Sequence, residues 1–409
     1  MQIVLKTLTP LWTGGIERIC DRVHETSIIG SLRWWYEAII RGLGGSACDP
    51  SSEKRCPQKS DESGKKVHCI ACDLFGCTDW QRRFRLRLND GQMVYPQQNV
   101  NELINIRPTG RSRGWYYGAG QRSINDSILG QIKLLRGDTI NITQQTAVPL
   151  LLASKWGALG AKIQHGFGVV QATLSENGIQ IQTDLKEFFN YIEQKKVECR
   201  QSPTSSNMPK FNEFFFSKFR FILTGNWWEK VDGLNDTMKL RKNNEHNQIK
   251  KKQIQDEINR LDQWISTNGY SVPIAPSVKN QLYLNPKTNY LSTLKSNNQV
   301  VDLFGTAKRN YKKAARINIS SAYQCSENLW ETRVWGWVPG DITQRGQVMN
   351  EIYSALTSNA FWGIVLGNSS IIIDSYEWRE LRSSHCHPPC IKQCNNTEQF
   401  IQCLIGGKS

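Results

Sequence analysis

The sequence has 409 residues, more than one ordinary hydrophobic core accommodates, which predicts two domains of about 200 residues. Its 51 lysines and arginines outnumber the 36 acidic residues and give a formal net charge of +15, which favours an anionic partner such as nucleic acid or a membrane surface. The mean hydropathy of −0.49 and the lack of any apolar run near the ~18 residues of a spanning helix argue against the membrane.

The first element in chain order is a predicted strand, MQIVLKTLTP (1–10), in which apolar and polar residues alternate. It lacks the apolar stretch of a secretion signal, so we expect a cytoplasmic protein. In that compartment the 12 cysteines are more typical of metal ligands or core residues than of disulfides.

A polar loop, ERICDRVHETS (17–27), follows the strand and carries Asp21 and His24. An imidazole can act as a general base on a ribose 2′-hydroxyl, and a carboxylate can hold a metal or orient a scissile phosphate. Two isolated residues are a weak motif. A loop that binds or orders RNA therefore competes here with a ribonuclease site.

The segment GSLRWWYEAIIRGLGG (30–45) predicts an amphipathic helix with Ser31 as N-cap and the glycines at its end as a stop. Its apolar residues recur with the spacing of one buried stripe, namely Leu32, Trp35, Tyr36, Ile39 and Leu43. Arg33, Glu37 and Arg41 lie on another face. They form either a solvated ladder of charge pairs or part of a surface that holds an anion.

A cysteine-rich loop (48–77) comes next, with almost no apolar residues to fold it. Two pairs of thiols joined by a polar loop are a common structural zinc arrangement, and the predicted ligands are Cys48, Cys56, Cys69 and Cys72. Two further residues are alternatives for one ligand position, His68 and Cys77. Unliganded thiols in a flexible loop are the other interpretation.

A weak internal repeat joins DLFGCTDWQRRFRLRL (73–88) to DLFGTAKRNYKKAARINI (302–319), and each copy predicts a glycine turn before a strand. FRFILTGNW (219–227) resembles the opening strand at a similar offset, which supports a duplicated fold. Basic residues accompany both copies. The predicted phosphate contacts are Arg83 and Arg85 on one strand face of the first copy, and Lys308, Arg309, Lys312 and Lys313 in the second.

The segment QQTAVPLLLASKWGALGAKIQHGFGVVQATL (144–174) predicts a helix, a glycine-rich loop and a strand. The glycines allow positive φ and the close approach of another chain. The spacing matches neither the P-loop nor the dinucleotide fingerprint. We therefore expect no nucleotide hydrolysis here, and the predicted phosphate contacts in this loop are Gly160, Lys162, His165 and Gly166.

A polar, proline-containing segment (199–210) predicts a linker between domains at 1–205 and 206–409. A basic helical insert at about 231–266 is interpreted as a solvated arm or as an RNA contact. The tail HCHPPCIKQC (385–394) is either a metal-binding cluster or a disordered terminus. Its candidate ligands are His385, Cys386, His387, Cys390 and Cys394.

Five stretches together resemble the RAMP superfamily of CRISPR proteins, and within it the family of first subunits of the Cmr (type III-B) effector complexes. The stretches are LTPLWTGG (8–15), ETSIIGSLRWWYEAIIRG (25–42), CIACDLFGCT (69–78), WGALGAKIQHGFG (156–168) and WETRVWGWVPG (330–340). The resemblance implies an α+β fold with two tandem ferredoxin-like, RRM-related domains. The long insert and the cysteine-rich tail depart from the family pattern.

The resemblance also implies a non-catalytic RNA-binding subunit near the 3′ region of the crRNA, involved in target RNA capture in antiviral defence. Its implied partners are the crRNA, the target RNA and other Cmr subunits. Arg33 and Arg41 thereby become candidate RNA contacts. Since catalytic residues of RAMP-type ribonucleases lie in the loop after the first strand, a ribonuclease acting on CRISPR RNA through Asp21 and His24 is the alternative.

Overall fold

A computed structural model gives the fold of this chain. It describes residues 2–14, 23–53, 55–59, 66–88, 104–112, 114–117, 130–135, 140–176, 179–180, 183–199, 208–267, 271–284, 290–294, 302–308, 311–340, 344–381, 383, 385–389 and 394–405. Helices and antiparallel sheets alternate, so the predicted α+β class is confirmed.

The elements of the first half end before residue 200. They are β1 (Gln2–Thr7), α1 (Glu25–Gly42), β2 (Gln58–Lys59), β3 (Lys66–Val67), α2 (Ile70–Phe75), β4 (Arg85–Leu88), β5 (Ile104–Ile106), β6 (Trp115–Tyr117), β7 (Gly130–Leu135), α3 (Ile140–Trp156), β8 (Val170–Glu176), β9 (Ile179–Gln180) and α4 (Leu185–Glu198).

The second half has its own set of elements. They are β10 (Phe214–Ile222), α5 (Asn235–Asn243), α6 (Gln248–Thr267), β11 (Ser271–Val272), α7 (Ala275–Lys279), β12 (Thr306–Lys308), β13 (Tyr311–Lys313), β14 (Ile317–Ile319), β15 (Ala322–Ser326), β16 (Leu329–Trp337), α8 (Arg345–Leu356), α9 (Asn359–Val365), β17 (Ser375–Glu380) and α10 (Thr397–Ile405).

In both large sheets, the first strand of that half of the chain lies beside its last long strand: β1 lies beside β8, and β10 lies beside β17. The first sheet has the order β4-β7-β1-β8-β9, and Val4 pairs with Gln131 on one side and Thr173 on the other. The second has the order β11-β15-β16-β10-β17, with β14 also paired to β16. Since β1 and β10 hold equivalent positions, the repeat detected in the sequence has a counterpart in the topology.

The central strand β10 belongs to two hydrophobic cores at once. Its successive side chains point to opposite faces, so Phe214 and Phe216 enter the first core while Phe215 and Phe219 enter the second. Phe400 of α10 also joins the first core, against Phe216. The last helix therefore packs on the first half, although the sequence predicts it within a domain at 206–409.

Two local predictions change in the structure. Helix α1 begins at Glu25 with His24 as N-cap, so Ser31 lies inside the helix and its hydroxyl donates to the Ser27 carbonyl at 3.1 Å. The basic insert is not a free arm, because the apolar face of α6 is buried in the second core through Ile258 and Leu261. Within the described residues, no helix is long and apolar enough to cross a bilayer.

Candidate nucleic-acid interface and metal centre

The two Asp-Leu-Phe-Gly turns have the same local structure. Both glycines adopt positive φ, +83° at Gly76 and +74° at Gly305, where a side chain would be strained. The leucine carbonyl of each turn accepts a backbone hydrogen bond from an arginine. Arg83 donates to Leu74 at 3.1 Å, and Arg316 donates to Leu303 at 2.8 Å. Arg316 is thus the structural equivalent of Arg83.

A groove of about 580 Å³ separates the glycine-rich loop and α1 from β14 and β16, and we call it the tryptophan groove. Three half-buried tryptophans line it, Trp12, Trp34 and Trp337. The ring centroids of Trp34 and Trp337 are 5.9 Å apart. The sequence predicts both adjacent tryptophans of α1 mainly in the core, whereas only Trp35 is fully buried and Trp34 reaches the groove.

On each side of the tryptophan groove, one basic side chain lies near the ring of a tryptophan. Lys162 Nζ lies 5.8 Å from the ring centroid of Trp12, and Arg316 Cζ lies 6.0 Å from that of Trp337. Both side chains are half-buried. The sequence reasoning missed Arg316 and Trp337 as site residues, although the repeated turn and the Trp-Gly-Trp segment contained the signal.

The glycines of the loop make room for the chain's own backbone. A Cβ at Gly160 would lie 2.6 Å from the Trp12 carbonyl oxygen, and a Cβ at Gly166 would lie 2.4 Å from the Ser321 nitrogen. Ser321 N also donates to the Gly166 carbonyl at 2.9 Å. The sequence predicts that a ligand approaches the backbone at Gly160 and Gly166. In the structure, other parts of the chain fill the space beside both glycines.

His165 also differs from the prediction of a phosphate-binding cation. Burial, with Lys279 and Lys162 nearby, lowers its pKa to about 3, so the imidazole is neutral near pH 7. Its carbonyl accepts from the Tyr117 hydroxyl at 2.9 Å, which fixes the loop to the second core. The cationic role predicted in this loop therefore falls to Lys162.

The two arginines of α1 point away from the tryptophan groove and into the cysteine loop. Arg33 donates to Glu37 at 2.8 Å, to the Gly76 carbonyl at 2.8 Å and to Cys72 Sγ at 3.1 Å. Arg41 is 5% exposed and donates to the carbonyls of Ala47 and Cys48 at 3.1 and 3.0 Å. The predicted RNA contact is wrong for Arg41, because its guanidinium is buried, and Arg33 is committed to protein acceptors.

The remaining predicted cations have mixed surroundings. Arg83 pairs with Asp73 at 2.9 Å, Arg85 is exposed on β4, and Lys313 pairs with Asp302. The positions outside the described residues are Asp21 and Arg309, together with the side chains of Lys308 and Lys312. His24 caps α1, and its backbone nitrogen donates to Thr13 Oγ1 at 3.1 Å.

The four predicted zinc ligands come together. The Sγ atoms of Cys48, Cys56, Cys69 and Cys72 all lie within 4.8 Å of one another, and each residue is buried. Backbone amides point at the sulfurs: Cys48 N and Cys72 N each lie 3.4 Å from Cys69 Sγ, and Cys69 N lies 3.2 Å from Cys56 Sγ. Amide donors of this kind stabilise thiolates.

The chemistry of this cysteine quartet fits a soft divalent cation. Hydrogen bonding to Cys48, burial and the neighbouring thiols raise the pKa of Cys69, and a bound cation would offset this effect by stabilising the thiolate. Four thiolates are the ligand set of structural zinc. Among the described residues, His68 and Cys77 lie outside the group; the imidazole of His68 packs on Trp80 with centroids 4.6 Å apart.

The tail residues are dispersed where the structure describes them. His385 stacks on Tyr353 at 4.0 Å, and His387 stacks on Tyr376 at 4.2 Å. Cys386 Sγ donates to the Glu380 carbonyl at 3.3 Å. Cys390 is outside the described residues. The described part of the tail thus forms no common ligand group.

Residues 4–171 match the profile of the RAMP superfamily. Over this segment, which we call the RAMP segment, the chain is similar to the RAMP superfamily. The expected resemblance is thereby confirmed for the part of the chain that holds α1, the cysteine quartet and the glycine-rich loop. No curated protein matches the sequence significantly.

Two solved structures are similar to the chain at low sequence identity. One is the crystal structure of Cmr1 from Pyrococcus furiosus in its apo form, at 12% identity and a TM-score of 0.36, covering 84% of this chain and 89% of that one. The other is the cryo-EM structure of the type III-B Cmr-beta complex bound to cognate target RNA and AMPPnP, in the presence of ssDNA. Its identity is 11% and its TM-score 0.35, covering 87% of this chain and 99% of that one. Values this low do not establish a shared fold.

The RAMP segment supplies one wall of the tryptophan groove, with Trp12, Trp34 and Lys162. The opposite wall, with Trp337 and Arg316 beside it, lies outside the matched segment. The groove is therefore formed jointly by the RAMP segment and the second half of the chain.

Proposed function

We propose that the chain is a non-catalytic RNA-binding subunit of a type III-B CRISPR effector complex, and that the tryptophan groove holds single-stranded RNA. The observation that carries the proposal is the pairing of aromatic rings and cations along one groove, Lys162 beside Trp12 and Arg316 beside Trp337. The RAMP match and the sequence stretches that resemble first Cmr subunits supply the effector context.

The composition of the groove suits single strands better than a duplex. Unpaired bases stack on aromatic rings whatever their sequence, at about 1–3 kcal/mol per base, while cations contact the phosphates. Trp34 and Trp337 offer two such rings 5.9 Å apart. Base pairing with a guide supplies sequence specificity in such complexes, so a sequence-tolerant surface fits the role of holding crRNA near its 3′ region or capturing target RNA.

The sheet topology supports the proposal that each half is a ferredoxin-like unit. In the first half, β1, α1, β4, β7, α3 and β8 occur in this order along the chain, with β2, β3, α2, β5 and β6 inserted between them, and the sheet order is β4-β7-β1-β8. In the second half the sheet order β15-β16-β10-β17 repeats this arrangement. We propose the boundary near residue 205, between α4 and β10.

We further propose that the cysteine quartet holds one structural zinc ion. Arg33 and Arg41 support it by donating to Cys72 Sγ and to the Cys48 carbonyl. Four thiolates around Zn²⁺ carry a net charge of −2, which two nearby guanidinium groups offset. The metal would fix a polar loop against α1, the helix that also carries Trp34.

The test is a titration of labelled single-stranded RNA with the purified chain. Trp34→Ala and Trp337→Ala should each weaken binding by about five- to hundredfold, the range expected for one lost stacking contact. Trp227→Ala is the matched control, because this half-buried tryptophan lies outside the groove. Unchanged affinity in both groove variants, with folding intact, rules out the groove as the RNA site.

The same RNA, analysed on a gel, tests the ribonuclease alternative. A product with a 2′,3′-cyclic phosphate that disappears in His24→Ala supports an enzyme that uses His24. Intact RNA in the wild-type chain supports the non-catalytic subunit.

A further inference from the structure

A second cavity, of about 320 Å³, lies between the two halves on the face of β10 and β16 that is turned toward α3. We call it the interface cavity. Its charged lining residues are Lys155, Lys218, Glu331 and Arg333. It shares no lining residue with the tryptophan groove. The proposed function therefore leaves this group of charges without a role.

Lys218 is a buried ammonium with unused donors. Its side chain is 9% exposed, and Nζ lies 4.4 Å from the ring centroid of Trp156 and 3.8 Å from Glu377 Oε1. Among the described residues, Nζ makes no hydrogen bond. An ion pair and a cation–π contact hold this ammonium, so its N–H donors are left for a ligand in the cavity that Lys218 lines.

Arg333 has an unused donor in the same cavity. It is 5% exposed, and its other nitrogens are occupied: Nε donates to the Tyr323 hydroxyl at 2.7 Å and pairs with Glu331 Oε1 at 3.4 Å, and Nη1 donates to the Ser154 carbonyl at 2.6 Å. Nη2 makes no hydrogen bond within the described part of the chain. Lys218 and Arg333 are paired across the adjacent strands β10 and β16, and both line this cavity.

Positive charge exceeds negative charge around the interface cavity. The described charged groups on this face and its rim are Lys155, Lys218, Arg220, Arg333, Arg379, Glu331 and Glu377. Glu331 already accepts from Arg220 Nε at 2.8 Å and from the Tyr323 hydroxyl. Burial and the neighbouring Arg333 lower the pKa of Lys218 to about 8, so this ammonium is still charged at pH 7. An anion in the cavity would balance the excess.

We propose that the interface cavity binds a phosphate group, held by Lys218 Nζ and Arg333 Nη2 with Lys155 at the rim. A guanidinium and an ammonium side by side match the charge and the acceptors of a phosphate dianion. The volume is at the small end of ligand sites, which suits free phosphate or the terminal phosphate of a strand and excludes a longer RNA segment.

The first experiment titrates inorganic phosphate into the full chain by calorimetry, at constant ionic strength. We expect saturable binding, and a rise of the melting temperature with phosphate, because a ligand that binds only the folded state stabilises it. Lys218→Met should weaken binding by about ten- to hundredfold, as expected for a lost charge-assisted hydrogen bond. Lys239→Met is the control, since this exposed lysine lies outside the cavity.

Lys155→Met is a second variant at an exposed position of the rim, and it keeps the test decisive if Lys218→Met does not fold. It should weaken phosphate binding several-fold. Short RNAs with terminal phosphate or terminal hydroxyl identify the source: tighter binding of the phosphorylated strand, abolished in Lys218→Met, assigns an RNA end.

Phosphate binding that is equal in the wild type and both cavity variants, or absent in the wild type, overturns the proposal. The affinity of hydroxyl-ended RNA for Trp34→Ala tests the tryptophan groove separately. Failure of one site is therefore distinguishable from failure of the other.

Discussion

Arg33 Nη2 donates to Cys72 Sγ at 3.1 Å, so an arginine of the tryptophan-bearing helix directly supports the cysteine quartet. The same guanidinium donates to Glu37 and to the Gly76 carbonyl, which fixes its orientation. Hydrogen bonding to Glu37 and the charge of Cys72 raise the pKa of Arg33 against the opposing effect of burial. Such supporting contacts tune the affinity of a metal site.

Arg33→Gln should retain one zinc per chain but lower zinc affinity by about 10- to 100-fold, measured by competition with a chromogenic chelator. Lys66→Gln is the matched control, because it breaks an exposed pair with Asp79 in the same loop and should leave zinc affinity unchanged. Cys69→Ser should remove the metal and destabilise the first half. A folded wild-type chain that binds no zinc contradicts the metal proposal.

Removal of the buried guanidinium of Arg41 should lower stability and not RNA affinity. Arg41→Met leaves three backbone carbonyls without this donor and removes one of the two arginines paired with Glu37, and we expect a loss of about 3–5 kcal/mol in the free energy of unfolding. Denaturant unfolding measures this loss. Arg85→Met, on an exposed strand face, should cost less than about 0.5 kcal/mol. Weakened RNA binding by a fully stable Arg41→Met protein contradicts this assignment.

The sequence predicts those features that depend on local spacing. The opening strand, the buried stripe of α1, the helix–loop–strand unit around Gly160 and the zinc-ligand spacing are all patterns within a few turns or strands. The structure forms each of these elements. The Asp-Leu-Phe-Gly repeat can also be recognised from the sequence, because both copies of the turn need a glycine at the same position.

The sequence does not determine whether a basic side chain points to solvent or to other parts of the protein. From the helical spacing alone, Arg33 and Arg41 are expected to form solvated charge pairs. In the structure the cysteine-rich loop packs over them, and the helical spacing does not predict their hydrogen bonds to that loop. Likewise, Trp337 joins Trp34 only after two halves distant in sequence pack together. Long-range packing therefore decides which predicted cations face solvent.

The two cations of the tryptophan groove should set the salt dependence of RNA binding. For single strands, each neutralised phosphate contributes about −0.7 to the slope of log affinity against log salt. Lys162→Ala and Arg316→Ala should each make the slope shallower by about 0.7 and weaken all RNA sequences alike. Lys239→Ala, an exposed lysine outside the groove, should leave the slope unchanged. Slopes equal to the wild type in both groove variants contradict phosphate contacts there.

Gly30 of α1 and Gly166 of the glycine-rich loop should respond in opposite ways to added side chains. Gly30 is exposed inside α1 with open space around its Cβ position, so Gly30→Ala should stabilise the fold by about 0.4–1 kcal/mol. Gly166 has a φ of +93° and its Cβ would lie 2.4 Å from Ser321 N, so Gly166→Val should destabilise it by at least about 2 kcal/mol. Thermal unfolding distinguishes the two. A stable Gly166→Val chain contradicts the packing of this loop on the second half.

His165 should make the fold sensitive to acid in a defined range. Its pKa is near 6.5 in the unfolded chain and about 3 in the folded one, because burial disfavours the imidazolium. The unfolded state thus binds more protons between these values, and stability falls as pH decreases from about 6.5 to about 3. The full effect is on the order of 5 kcal/mol at about 1.4 kcal/mol per pKa unit. His165→Gln should remove this part of the acid destabilisation, as measured by denaturant unfolding at pH 7, 5 and 4.

Carboxylates that lose partners in acid remain in both proteins, so the difference in unfolding free energy between wild type and variant isolates the effect of the imidazole. An unchanged pH dependence in His165→Gln would mean that the ring is solvated and able to carry charge beside Lys162.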